Sequence, residues 1–180
     1  MESALRRVLH DLDRDAAPRF LKSNPQALEE AIELAISGEP STAWRAAWHL
    51  QAVIEENDPR LQPHVLRIIQ ALPDKNDGHQ RELLKILLQM DLDEEQESLL
   101  FDQCLSIWES IKKQPSVRSL ALKTIVRIAR KYPDLSREVS FLTRDHYLQT
   151  LSPAIRKSVV RMIDDLTAAD DRPGKGARLL

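Results

Sequence analysis

Apolar residues recur along this chain in a fixed phase relative to four arginines, Arg45, Arg81, Arg118 and Arg156, which follow one another at intervals of 36, 37 and 38 residues. One position before them stand Trp44, Gln80, Val117 and Ile155; three after, Trp48, Leu84, Ala121 and Val159; seven after, Ala52, Leu88, Ile125 and Ile163. Only Gln80 among these is polar. Offsets of −1, +3 and +7 mark one face of an α-helix, so the pattern predicts four copies of one helix, each laying the same face against its neighbours. A fixed period of this length is the mark of stacked helical units.

The elements between these helices follow from the same pattern and its punctuation. It predicts an N-terminal helix from about Ser3 to Arg14 and a short helical segment through Phe20. Four pairs follow: Gln26 to Ser37 with Thr42 to Glu56, Arg60 to Leu72 with Gly78 to Met90, Glu94 to Ser110 with Ser116 to Lys131, and Ser136 to Thr150 with Pro153 to Thr167. Four residues before the arginines lie Ser41, Asp77, Gln114 and Ser152, three of them good N-caps whose side-chain oxygens accept a free backbone N–H. Pro153 sits at a first helical position, where its missing N–H costs nothing. Asn57-Asp58-Pro59, Tyr132-Pro133-Asp134 and the stretch from Asp91 to Glu95 break the pattern between helices. Residues 1–167 are expected to form a single all-α domain, an α-α superhelix of about four hairpins plus the N-terminal helix. Residues 168–180, with Pro173, Gly174 and Gly176, are expected to be a flexible tail.

Composition supports helices over strands, with 42% hydrophobic and 30% charged residues and only 4 glycines in 180, too few for many tight β-turns. The single cysteine, Cys104, has no intramolecular disulfide partner; Leu100, Ile107 and Trp108 at helical spacing predict a buried, inert thiol. Residues 1–15 mix charges with Leu5, Val8, Leu9 and Leu12 and lack the apolar core of a signal peptide. No apolar run reaches the roughly 20 residues of a membrane span, so a cytoplasmic protein is expected. Net charge is −2, but residues 1–108 hold 11 Lys+Arg against 20 Asp+Glu, a balance of −9, and residues 109–180 hold 15 against 8, a balance of +7. Such polarity bears on association, including a homodimer, and not on the fold.

The run Val117-Arg118-Ser119-Leu120-Ala121-Leu122 resembles the second helix of a HEAT or armadillo-like repeat, and Ile155-Arg156-Lys157-Ser158-Val159-Val160 is a second copy of it. The resemblance covers roughly Gln26 to Thr167 and implies an α-solenoid of paired helices. It also implies that the recurring arginine is structural, bonding to neighbouring turns, most clearly for Arg118 and Arg156 and less so for Arg45 and Arg81. The intervals are at or just below the usual period of about 40–47. Tetratricopeptide repeats, with a period of about 34, are the competing family, but their Trp-x-x-Leu-Gly and Ala-x-x-x-Phe marks are missing. With its Trp-containing first repeat and Arg-Lys-Tyr-Pro-Asp-Leu at 130–135, the chain also resembles small bacterial HEAT-like proteins that lack an assigned activity.

Catalysis is hard to build from these residues. His10, His49, His64, His79 and His146 show no His-x-x-x-His spacing, and there is no Cys-x-x-Cys pair, Gly-rich phosphate loop or Gly-x-Ser-x-Gly elbow. No metal or cofactor is therefore expected. The acidic groups Glu29, Glu30, Glu33 and Asp93, Glu94, Glu95, Glu97 lie near helix starts, where the helix dipole favours carboxylates. Some HEAT-like proteins are DNA glycosylases, which need an aromatic pocket for a flipped base with an acidic group beside it. Trp44 and Trp48 fall on the packing stripe and are expected in the core. The stretch from Lys112 to Lys131 holds seven basic residues and no acidic one. Within it Lys123, Arg127, Arg130 and Lys131 share one side of a helix, and Arg161 occupies the equivalent of Lys123 in the next repeat. The equivalent face is apolar in the first two copies, at Leu50, Ile54, Ile86 and Met90. The N-terminal helix is expected to cover it; otherwise a partner helix or a second copy would. These features describe a non-catalytic interaction or scaffold module that binds a partner protein through its second-helix surface, with apolar anchors and a basic ridge. The alternative is a nucleic-acid-binding or DNA-repair-like protein using the ridge at 112–161, against which the pI near 6.2 speaks.

Overall fold

The computed structural model describes residues 3–11 and 13–170, and among these every regular element is helical. The first compact unit runs to Gln103. It contains α1 (Ala4–Leu9), α2 (Ala16–Ser23), α3 (Ala27–Ser37), α4 (Pro40–Leu50), α5 (Val65–Ala71) and α6 (Asp77–Leu87). The second begins at Cys104, inside α7 (Glu94–Glu109), and adds α8 (Pro115–Ala129), α9 (Pro133–Glu138), α10 (Asp145–Leu148) and α11 (Pro153–Asp170). Short 3-10 turns flank α5 and join α9 to α10.

Local chemistry sets several boundaries differently from the expected map. The expected N-terminal helix stops at Leu9 instead of Arg14, and Leu12 lies outside the described residues. Asn76, not Asp77, caps α6, its side chain accepting the His79 N–H at 3.0 Å. Helix α4 starts at Pro40, before Ser41, because proline is preorganised for the first helical position. Gln114 precedes α8 without a side-chain capping bond, whereas Ser152 Oγ does accept the Ile155 N–H, at 3.4 Å. The expected helix from Ser136 to Thr150 is broken into α9, a 3-10 stretch and α10. Helix α11 continues to Asp170, past the expected start of the tail; residues 171–180 are outside the described set.

In the first unit α4 packs against both α3 and α6, and α1 and α2 pack onto α4. The face it turns inward is made of Ala43, Ala46 and Ala47, all fully buried, with Leu50 at its end. Small side chains let two helices approach it closely, so the bulky Trp44 and Trp48 are left at the edge. In the second unit α8 and α11 pack together over Val117, Ala121, Ile125, Val159 and Ile163, the expected stripe. Cys104 is fully buried there, and desolvation pushes its thiol up to about 12. Folded protein should therefore leave Ellman's reagent unreacted at neutral pH and release one thiol equivalent only in denaturant. Rapid labelling of the native state would contradict this placement.

The repeat arginines close helix ends. The last four carbonyls of a helix have no partner inside it, and cations are favoured beside them. Arg118 is fully buried in the second unit: Nε donates to Trp108 O at 2.9 Å, Nη2 to Tyr147 O at 2.7 Å and Nη1 to Thr150 Oγ1 at 2.9 Å. Its guanidinium also lies 4.7 Å from the centre of the Trp108 ring. It thus serves the C-terminal ends of α7 and α10 together. Arg156 donates to Leu151 O and Gln149 O, both at 2.8 Å, where α10 ends. In the first unit Arg45 Nη1 donates to Leu9 O, the last carbonyl of α1, at 3.1 Å. Arg81 departs from the scheme. Its neighbour Gln80 donates to Leu72 O at the end of α5, at 2.8 Å, while Arg81 pairs with the buried Glu82 at 2.9 Å. The single polar residue in the stripe is thus the one that took over the capping contact.

Candidate functional site

The first unit contains an open cleft of about 540 Å3, lined by Leu9, Asp11, Arg14, Trp44, Arg45, Trp48, His49 and Arg81. Trp44 and Trp48, half-buried one turn apart on α4, do not lie in the core as their place on the stripe predicts. Their rings are nearly parallel, 10° apart with centroids at 5.8 Å, and His49 lies against Trp48 at 4.6 Å. A methyl group at Gly78 would touch Trp44 Nε1 at 3.5 Å, so the first indole rests on the start of α6. Burial, with the Arg45 charge adding to it, lowers the His49 pKa from its ordinary 6.5 and keeps the ring neutral at pH 7. Charge in the cleft therefore comes from three guanidiniums, Arg14, Arg45 and Arg81, against the Asp11 carboxylate. Glu82 lies beneath Arg81, shared with Lys85 at 2.8 Å.

Of these residues the sequence singles out the arginines of the repeat and the two tryptophans, but for packing. Asp11, Arg14 and His49 are additions that only the structure makes. The legible signal is Trp44-Arg45-x-x-Trp48-His49, which places two rings and a cation on one side of a helix.

The apolar anchors expected for a partner are not available. Leu50, Ile86 and Met90 are fully buried and Ile54 is 8% exposed. The phase that faces outward at Lys123 and Arg127 faces inward in the first unit, where α1 and α2 pack on α4 and α5 packs on α6. These four residues are buried within the first unit and leave the docking surface.

In the second unit the basic residues do reach the surface. Lys123, Arg130, Lys131 and Arg161 are exposed and Arg127 is half-buried. Arg130 caps the C-terminus of α8 and Lys131 follows it, so part of this charge is accounted for by the helix dipole. Lys123 in mid-helix and Arg161 on α11, whose Nε is 3.8 Å from Asp165, are not accounted for in that way. Lys157 and Val160 are also exposed on α11, Val160 being one of two large hydrophobic side chains exposed among the described residues.

The acidic groups behave as helix-start carboxylates with added partners. Glu29 and Glu30 open α3, and Glu94, Glu95 and Glu97 open α7. Glu29, Glu33 and His64 converge to within 4.8 Å. Arg67 occupies both Glu33 oxygens, however, and its hydrogen bonds hold that carboxyl below its usual range, making the group an ion-pair tie between α3 and α5. No helix among the described residues is long and apolar enough to cross a membrane.

Neither among curated proteins nor among solved structures does any match this chain. One family model does, that of the HEAT repeat domain, over residues 1–166. With the helical pairs, the phased arginines and that match together, the chain belongs to the HEAT repeat family.

Proposed function

We propose that the protein is a non-catalytic interaction module that docks an acidic segment of a partner protein on the basic ridge of α8 and α11. Membership of the HEAT family supports the general role, since such repeats are commonly protein-interaction scaffolds. The observation that carries the surface is the exposed placement of Lys123 on α8, Arg130 and Lys131 at its C-terminal end and Arg161 on α11, two helices that pack together. With Leu50, Ile54, Ile86 and Met90 buried, the contact relies on charge, helped by exposed Val160 as an apolar foothold. Charge contacts at a surface act on encounter rate and on specificity more than on residence time, so the complex is expected to be transient and salt-sensitive.

Fluorescence anisotropy tests this with a labelled peptide that alternates Asp/Glu pairs with leucine, at low and high salt. Wild type is expected to bind saturably at low salt, and a Lys123→Glu, Arg161→Glu variant about tenfold or more weakly. Equal binding by the variant would reject the ridge as the docking surface. Duplex DNA that binds more tightly than the peptide, with a steeper loss in salt, would move the reading to nucleic acid, because every neutralised phosphate releases counterions.

A further inference from the structure

We propose that the cleft of the first unit is a binding site for a free purine mononucleotide, its base stacked on the Trp44–Trp48 pair and its phosphate held chiefly by Arg14 and Arg45, with Arg81 beside them. This site is separate from the ridge of the second unit and stands or falls independently of it.

The ligand class follows by elimination from the cleft's own groups. The half-buried tryptophans line the cleft, and indole faces attract cations and flat apolar rings alike. The guanidiniums of Arg14 and Arg45 beside them, with the Nη1 end of Arg81, whose Nε and Nη2 are turned to Glu82, repel a cation, which leaves a flat ring carrying negative charge. Arginine forks match the oxygens of a phosphate and donate to two of them at once. Asp11 would repel a second anionic group but accepts N–H donors: its Oδ1 already takes the Asp13 N–H at 2.9 Å, and Oδ2 offers further acceptor capacity. A ring that carries both an amino group and a phosphate satisfies Asp11 and the arginines together, as an adenine, guanine or cytosine nucleotide does and a phosphorylated phenol does not; of these the larger purine covers more indole surface.

Geometry fixes how the base sits. Inserting a ring between two others requires about 7 Å, two contacts of about 3.5 Å each. The tryptophan centroids are 5.8 Å apart, so the base does not insert between them and stacks on the indole surface that lines the cleft. A cleft of about 540 Å3 falls in the range of small-ligand sites, roughly 300–1,000 Å3. Charge argues against a longer strand. The first unit carries the whole −9 of residues 1–108, since residues 104–108 are uncharged, and each added phosphate would meet that field.

Quenching of tryptophan fluorescence reads the site directly, because the third tryptophan, Trp108, is fully buried in the second unit. Titration with AMP and GMP is expected to quench saturably, and adenosine or inorganic phosphate alone to bind at least about tenfold more weakly. Arg14→Ala, at an exposed turn, should weaken AMP by about tenfold with an unchanged melting temperature. Trp48→Leu should erase the preference of the site for AMP over inorganic phosphate, read by calorimetry. The proposal is overturned if no nucleotide binds saturably or if adenosine binds as well as AMP. A short single-stranded oligonucleotide that binds far more tightly than AMP would also overturn it, by making the cleft part of a nucleic-acid groove.

Discussion

Replacing Arg118 by alanine is expected to destabilise the protein by about 3 kcal/mol, enough to lower its melting temperature by roughly 6–12 °C. The side chain is fully buried and makes three hydrogen bonds, two of them to carbonyls at the ends of α7 and α10. Truncation leaves the buried Trp108 carbonyl and the part-buried Tyr147 carbonyl unpaired and opens a cavity against Trp108, whose ring the guanidinium covers. Desolvation lowers the arginine's own pKa, yet no carboxylate is needed, because carbonyl and hydroxyl oxygens together solvate the cation. Arg118→Lys should recover only part of the loss, since one ammonium cannot reproduce a fork that reaches three acceptors on two helices. Arg156→Ala, at an exposed position with the same type of bonds, is expected to cost about 1 kcal/mol or less. Thermal melts of the three variants check this ordering. Equal losses at 118 and 156 would show that burial of the repeat arginine is not what makes it matter.

Asp58→Ala should cost nearly as much, about 2–3 kcal/mol. The carboxylate is 2% exposed and accepts from Arg60 N, Nε and Nη2 and from Glu55 N, fixing the turn that carries the chain from α4 towards α5. Asn57 beside it adopts φ 55°, a conformation asparagine tolerates better than most residues, and its side chain accepts the Asp91 N–H at 2.6 Å. The Arg60 hydrogen bonds hold the Asp58 pKa below its ordinary 3.8, so the folded state binds this proton less readily than the unfolded one. That stabilisation is complete above about pH 4 to 5 and is lost as pH falls through the folded-state value. Wild type should therefore lose more stability between neutral pH and pH 3 than Asp58→Asn, which begins lower and changes less. Denaturant midpoints at the two pH values measure the difference, and parallel losses in both proteins would contradict the assignment.

The four-fold phasing of the arginines makes the fold readable, because one helical face at a constant period admits few arrangements. It also makes Arg118 and Arg156 readable as structural. The same phasing misleads in the first unit, and the reason lies in α4. Its inward face is the alanine strip Ala43, Ala46 and Ala47, rotated away from the stripe that α8 buries. A hydrophobicity pattern weighs tryptophan above alanine, whereas close packing between α3 and α6 selects the small residue. Trp44 and Trp48 consequently read as core and stand at the rim of a cleft. Leu50 and Ile86 fail in the opposite direction: their equivalence in phase to exposed Lys123 suggests a surface, but surface or core is decided by which helices arrive from elsewhere in the chain. Asp11 and Arg14 are illegible for the same reason, since only folding brings the turn after α1 beside α4. The polar Gln80 is a legible exception whose meaning, a cap for α5, needs the carbonyl of Leu72 in view.

Docking of an acidic partner on the α8–α11 ridge, and not on the apolar face buried in the first unit, is best decided by a 15N-HSQC titration with the acidic peptide. Docking on the ridge predicts shifts that saturate together and cluster around Lys123, Arg127, Arg130, Lys131, Val160 and Arg161. Shifts centred on Leu50, Ile54, Ile86 and Met90, or none at any peptide concentration, would contradict it.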